Sequence, residues 1–477
     1  LAAVDEAARS LAPASAFALY QHLFNESDFD LFEEKGNWDG QREALVAKRE
    51  AAVRKLMESG GVPEVLRFAE AVRSARQVGL ALGAFGDKQV DEALLPRLLG
   101  GSVGRHRALV DGYIWTRYTN CGWSWCDHVV KQDWTVEDKA LFLCELPFGE
   151  EAWARAQRWL EGEVGAYWRA VQVNPYQAGA NMTYAITKLL EFGRPNAAIE
   201  CLSRMRDEGS KLDVGMVVRA LLEAVATAEA SGSMDTHYAI ELIKFLQSEP
   251  SVTEDDLFKV EWAYLPLLNS HGERRPELLE RKLATEPEFF CEVIRVLYRS
   301  TDKGASDVNV SQSSKAIALN ASRLLNEWST PPGLQFDGSY SAAQLDAWLD
   351  VVKARCKESG HIDVALIQTG AVLIHVPPDS GGLWIDRGAA AVLNARDAQH
   401  MRDGFRTATF NSRGVHVVDP TAAPELELAA EYRRKAEDIE NAGFQRFASM
   451  LRELAAWYEL DAQRIVEEYR DRSNGST

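Results

Sequence analysis

Apolar residues in this chain recur at the spacing of an α-helix, over short stretches separated by glycine and proline. Between residues 41 and 58, Leu45, Ala52, Val53, Leu56 and Met57 fall on one face at 3.6 residues per turn. Gly60 and Gly61 follow as helix-ending residues, and Pro63 stands where a first helical turn tolerates it. A second helix then carries Val65, Leu66, Phe68, Ala69 and Val72, so the pair reads as a helical hairpin.

The pattern returns along the chain. Residues 181–192 read as one helix, Gly193-Arg194-Pro195 as a turn, and 196–208 as the next helix, with Ala198, Ile199, Leu202 and Met205 on its apolar face. Val214, Val217, Val218, Leu221, Leu222 and Val225 form another stripe, and further units open at Tyr238 and at Phe289. Units of roughly 30 to 40 residues match two-helix solenoid repeats, which bury their apolar faces by stacking on neighbours. The segment from Tyr184 to Ile199 resembles the inter-helix turn of a tetratricopeptide repeat, although the spaced Trp, Leu-Gly, Tyr, Ala, Phe and Pro of that repeat are missing. The expected fold is therefore all-α, a solenoid of degenerate hairpins of the tetratricopeptide or HEAT kind.

Polar or Pro/Gly-rich stretches divide this array. Lead-in helices are expected over 1–40, the main array over 41–300, a linker with one helix over 301–341, and further hairpins over 342–410. A loop at 411–424, with 415–418 as a short strand, precedes capping helices over 425–477, where Pro424 opens the first.

Charge narrows the partners. With 53 Lys plus Arg against 71 Asp plus Glu, the net charge is -18, which argues against a broad nucleic-acid or anionic-membrane surface. The opening LAAVDEAARS is acidic where a secretory signal would be basic, and no apolar run is long enough to span a bilayer, so a cytoplasmic piece of a larger protein is expected. The six cysteines are spread through helical segments and read as reduced, buried thiols.

Motifs for chemistry fail on context. Gly100-Gly101-Ser102-Val103-Gly104 has the form of a nucleophile elbow, but the residues before it read as helix and contain Pro96 rather than forming a strand. Cys121, Cys126 and His128 lack the paired spacing of a structural zinc site. Gly83, Gly86 and Lys88 do not have phosphate-loop spacing. No catalytic residue, cofactor or metal is assigned.

Seven of the 13 tryptophans crowd between Trp115 and Trp168. Such a cluster is either a thick core or a set of binding anchors. Trp115, Trp123 and Trp125 are the candidates for the second role, the latter two flanking a turn at Gly122. The same cluster supports an alternative, a toroidal glycan-active enzyme using two of Asp127, Asp133, Asp138 and Glu145. A passive assembly scaffold is a third reading. Basic groups at Arg274, Arg275, Arg281 and Lys282, and at Arg402, Arg406 and Arg413, read first as solvated helix faces. Arg406, Asn411 and Arg413 form a plausible contact for an acidic partner.

Several stretches together, EWAYLPLL at 261–268, PEFF at 287–290, WSTPPG at 328–333, FNSRGV at 410–415 and LRELA at 451–455, resemble the C-terminal helical region of the signal-transduction NTPases with repeated domains that act in bacterial antiphage defence. The likeness runs from about residue 38 to 465 and rests on packing motifs. It implies a sensor that recognises a foreign protein such as a viral one, attached to an NTPase and an effector that this sequence does not contain. It assigns no functional residue.

Overall fold

The computed structural model describes residues 15–100, 104–227, 235–268, 275–300, 312–414 and 418–474. Among them the extended elements expected of a sheet are absent; one isolated antiparallel bridge joins Leu334 to Tyr340. The all-α class read from the helical periodicity is therefore what the chain adopts. The short strand expected at 415–418 and the linker core at 301–311 fall wholly or mostly outside the described residues. None of the described helices is long and apolar enough to cross a membrane.

The chain divides into two compact units, residues 1–231 and 232–477. The first contains α1 (Ala16–Tyr20), α2 (His22–Asn25), α3 (Trp38–Ala71), α4 (Ala75–Gly83), α5 (Lys88–Leu94), α6 (Gly104–Val129), α7 (Val136–Cys144), α8 (Glu150–Trp159), α9 (Gly165–Ala170), α10 (Met182–Glu191), α11 (Pro195–Asp207) and α12 (Val214–Ala226). The second contains α13 (Asp235–Ser248), α14 (Glu254–Tyr264), α15 (Glu277–Thr285), α16 (Pro287–Leu297), α17 (Gln312–Asn326), α18 (Ala342–Glu358), α19 (Ile362–Val372), α20 (Arg387–Asn394), α21 (Gln399–Asn411), α22 (Ala423–Asn441) and α23 (Gln445–Asn474).

Three connections have the same form. Phe192-Gly193-Arg194 joins α10 to α11, Ser359-Gly360-His361 joins α18 to α19, and Ala442-Gly443-Phe444 joins α22 to α23. In each the glycine has positive φ, 73°, 72° and 94° respectively, which costs a residue without Cβ little. The amide after each glycine donates back to the preceding helix, from Arg194 to Leu189, His361 to Cys356 and Phe444 to Ile439. The glycine amide donates one residue further on, completing a Schellman cap that satisfies the last carbonyls. Gly61 and Gly122, both at φ 66°, break α3 and α6 internally.

A second device fixes helix crossings. A Cβ placed on Gly79 would lie 1.8 Å from the Leu109 carbonyl oxygen, and one on Gly112 would lie 2.2 Å from that of Arg76. The backbones of α4 and α6 thus touch directly. In the second unit α19 and α21 repeat the arrangement, with Gly370 facing the Met401 carbonyl and Gly404 facing that of Ile367, each at 1.9 Å. In both crossings the oxygen met by one glycine belongs to the residue three before the other glycine.

The second unit's core is aromatic and aliphatic, with Phe290, Trp328 and Trp348 in mutual ring contact. The loop after Trp328 is fastened rather than loose. Ser329 and Thr330 donate to the buried Glu280 carboxylate, which also pairs with Arg275 at 2.5 Å. Burying a carboxylate is tolerable only with such a set of donors.

Candidate interaction surface

The closing helix α23 buries Phe447, Leu451, Leu454, Tyr458, Ala462 and Ile465, at helical spacing. The sequence leads one to expect its other face to be charged. That face does carry the exposed Arg452, Glu453, Arg464 and Glu467, and among them Trp457 and Leu460 stand 60% and 62% exposed. α21 buries Met401, Phe405 and Thr409 and leaves Phe410 39% exposed at its end. The Phe410 ring meets Trp457 edge-on at 6.0 Å and stacks on Tyr458 at 5.7 Å. Tyr458 in turn stacks on Tyr432 of α22. The exposed pair is therefore anchored in the core through Tyr458, and the preferred edge-to-face geometry holds the Trp457 ring in place.

Two of the basic and polar candidates border this patch. Arg406, one turn before Phe410, pairs with Asp403 at 3.1 Å and with Glu453 at 3.2 Å, and Glu453 lies one turn before Trp457. Asn411 is exposed at the end of α21. Arg413 turns inward. Its Nη2 lies 2.6 Å from the fully buried Glu425 in the first turn of α22, so it ties the loop to that helix.

The tryptophan cluster of the first unit is mostly packed. Trp134, Trp153 and Trp168 are buried, and Trp153 and Trp168 lie against Phe148. Trp125 is 8% exposed and donates its Nε1–H to Asp91 at 3.1 Å. Trp115 and Trp123 are half-buried and joined through Tyr118, with rings 6.3 and 5.0 Å apart. Arg155 lies over Trp123 at 4.3 Å and chelates Asp127 with two hydrogen bonds of 2.9 and 2.8 Å. Of the three ring candidates, Trp115 and Trp123 keep accessible surface, whereas Trp125 is committed inward.

The four carboxylates of the glycan-enzyme reading have separate tasks. Asp127 is held below the ordinary carboxylate range by Arg155. Asp138 caps α7 in a reciprocal box with Thr135. Glu145 pairs with Arg107 and is pushed up by burial and by Asp111, while Asp133 is exposed. No two share a hydrogen-bond partner among the described residues. Cys121 is exposed and Cys126 buried, and no cluster of metal-binding side chains occurs among the described residues. Ser102 and Arg274 lie outside them.

Sequence reasoning missed Phe410, Leu460 and, above all, Trp457. Its signal was present, because it falls one position before Tyr458 in the core register and therefore on the polar side of α23.

Fold and surface together define an all-helical protein with an anchored, exposed aromatic pair. Comparison of the chain with known protein families, with curated proteins and with solved structures finds no match.

Proposed function

We propose that this chain is a non-catalytic helical-repeat interaction module that recognises a protein partner through the Phe410–Trp457 patch. The observation that carries the reading is this exposed edge-to-face pair, extended by Leu460 and bordered by Arg406 and Asn411. Contiguous exposed aromatic and aliphatic side chains with a polar rim are the usual anatomy of a protein-binding hot spot. The recurrent three-residue glycine connections support hairpin units, and the α-solenoid is the arrangement proposed for them. The likeness to antiphage NTPases makes a sensor in a cytoplasmic bacterial defence protein the proposed setting, with a viral protein as its partner.

The test is site-specific photo-crosslinking. A benzoylphenylalanine placed at Trp457 or Phe410 in the gene's complete product is irradiated in phage-infected and uninfected bacteria. One discrete protein captured only on infection is the expected result. Capture of the same host protein in both conditions replaces the sensor with a passive scaffold. No capture, or equal capture from the exposed Glu358 of α18, overturns the assignment of the surface.

A further inference from the structure

The first unit contains a cleft of about 380 Å³ that the interaction surface does not use. Volumes of this order, roughly 300 to 1,000 Å³, are those of small-molecule sites. Both halves of α6, on either side of the break at Gly122, contribute to it: Arg117 from the first and Trp125 from the second line it together with Lys88 and Asp91 of α5. Leu95, Val129 and Trp134 supply apolar surface.

The polar groups in this cleft are unequally satisfied. Asp91 is buried and already accepts the Tyr113 hydroxyl at 2.6 Å and the Trp125 indole at 3.1 Å. Arg117 approaches it only to 3.6 Å, beyond a hydrogen bond. The remaining contacts of the guanidinium are the Cys121 sulfur at 3.7 Å and the face of Trp125 at 5.4 Å. Its Nε is buried and has no partner. A guanidinium has five N–H donors in a fork suited to a carboxylate, and here none reaches an oxygen among the described residues. Lys88 likewise pairs with no carboxylate among them. Lys131 is occupied by Glu92 at 3.1 Å.

The sign and size of the charge select the ligand. Lys88, Arg117 and Lys131 line the cleft with Asp91 and Glu92, so with the lining His128 counted as neutral one positive charge is in excess. A monoanion neutralises that excess, whereas a phosphate dianion would leave the cleft with a net negative charge beside the buried Asp91. We propose that the cleft binds an organic carboxylate with a planar apolar body, its carboxylate held by Arg117 and Lys88 and its body lying against Trp134, Leu95 and Val129. This site is independent of the Phe410–Trp457 surface.

Isothermal titration of the whole chain with benzoate, acetate and inorganic phosphate at low salt tests the assignment. Benzoate is expected to bind at one site, with acetate at least about tenfold weaker for want of the apolar body. Arg117→Met, which keeps the stem over Trp125, and Lys88→Met should each weaken benzoate by about tenfold, as loss of a charged hydrogen bond does. Lys88 is exposed, so its replacement leaves the fold intact and the test valid even where Arg117→Met unfolds. Arg117→Lys should restore part of the affinity. Absence of saturable heat with benzoate, affinity unchanged in Lys88→Met, or tighter binding of phosphate than of benzoate overturns the proposal.

Discussion

The sulfur atoms of Cys291 in α16 and Cys356 in α18 lie 3.4 Å apart in the core of the second unit. Both side chains are almost fully buried, as are Cys126 and Cys201, while Cys121 is exposed. Thiol chemistry requires access as well as thiolate, so iodoacetamide should label Cys121 first under native conditions. The core pair should react only on unfolding. Diamide must also be reached by a thiolate, so in the folded chain it should leave Cys291 and Cys356 unlinked in a mass-spectrometric map. Early alkylation of Cys291 would contradict this packing.

Gly404→Ala should be among the costliest small substitutions in the chain. The added methyl meets the Ile367 carbonyl oxygen, a backbone atom that cannot swing aside. Overpacking of this kind costs about 1 to 3 kcal/mol and here belongs at the upper end. Gly104→Ala is the control, since nothing lies within 4 Å of the new methyl and φ is ordinary. It should change stability by less than about 0.5 kcal/mol. Urea unfolding midpoints at constant slope make the comparison.

Glu261 should make the second unit less stable as pH rises toward neutrality. It is fully buried, accepts the Leu278 and Leu279 amides at 3.2 and 2.9 Å, and bonds Gln247 at 2.7 Å. Burial outweighs these bonds and pushes its pKa up from 4.5 to about 7. A raised carboxyl pKa means that the folded state binds the proton more tightly. Its stabilising contribution is complete below about pH 4.5 and is lost as pH climbs through about 7, up to about 3 kcal/mol in all. Glu261→Gln should flatten the stability profile between pH 5 and 8, whatever its effect on absolute stability. A slope equal to that of the parent would refute the role.

Arg413→Ala should destabilise the packing of α22 rather than disturb partner binding directly. It leaves the fully buried Glu425 without the guanidinium 2.6 Å away. Breaking a buried pair from one side costs about 3 to 5 kcal/mol. Hydrogen exchange should quicken in the first turns of α22. Arg406→Ala, whose partners Asp403 and Glu453 are solvent-accessible, should cost under about 1 kcal/mol.

Local geometry was legible in the sequence wherever a single residue type dictates it. Gly193 before Pro195, Gly61 before Pro63, and Pro424 at the start of α22 mark helix boundaries because backbone conformation is decided within a few residues. Legibility ended where partners are distant in the chain. Trp125 is drawn inward by Asp91, 34 residues earlier, and Arg413 by Glu425 across a loop. The Phe410–Trp457 pair joins two helices whose own patterns say nothing of each other. The recurrence of the x-Gly-x connections was only partly visible, because the turns at Gly360 and Gly443 lie among residues with no shared side-chain consensus.

The paired glycines of the two helix crossings bear on how such a chain can diverge. Between α4 and α6, and again between α19 and α21, contact is made by main chain against main chain. At their exposed positions these helices can change size and polarity, and at buried ones one apolar side chain can replace another of similar volume, so resemblance carried by side chains erodes quickly. At Gly79, Gly112, Gly370 and Gly404 it cannot, because every alternative residue is larger. For relatives too remote to align by composition or motif, four glycines and their three-residue offsets are the part of the ancestry that mutation is least able to erase.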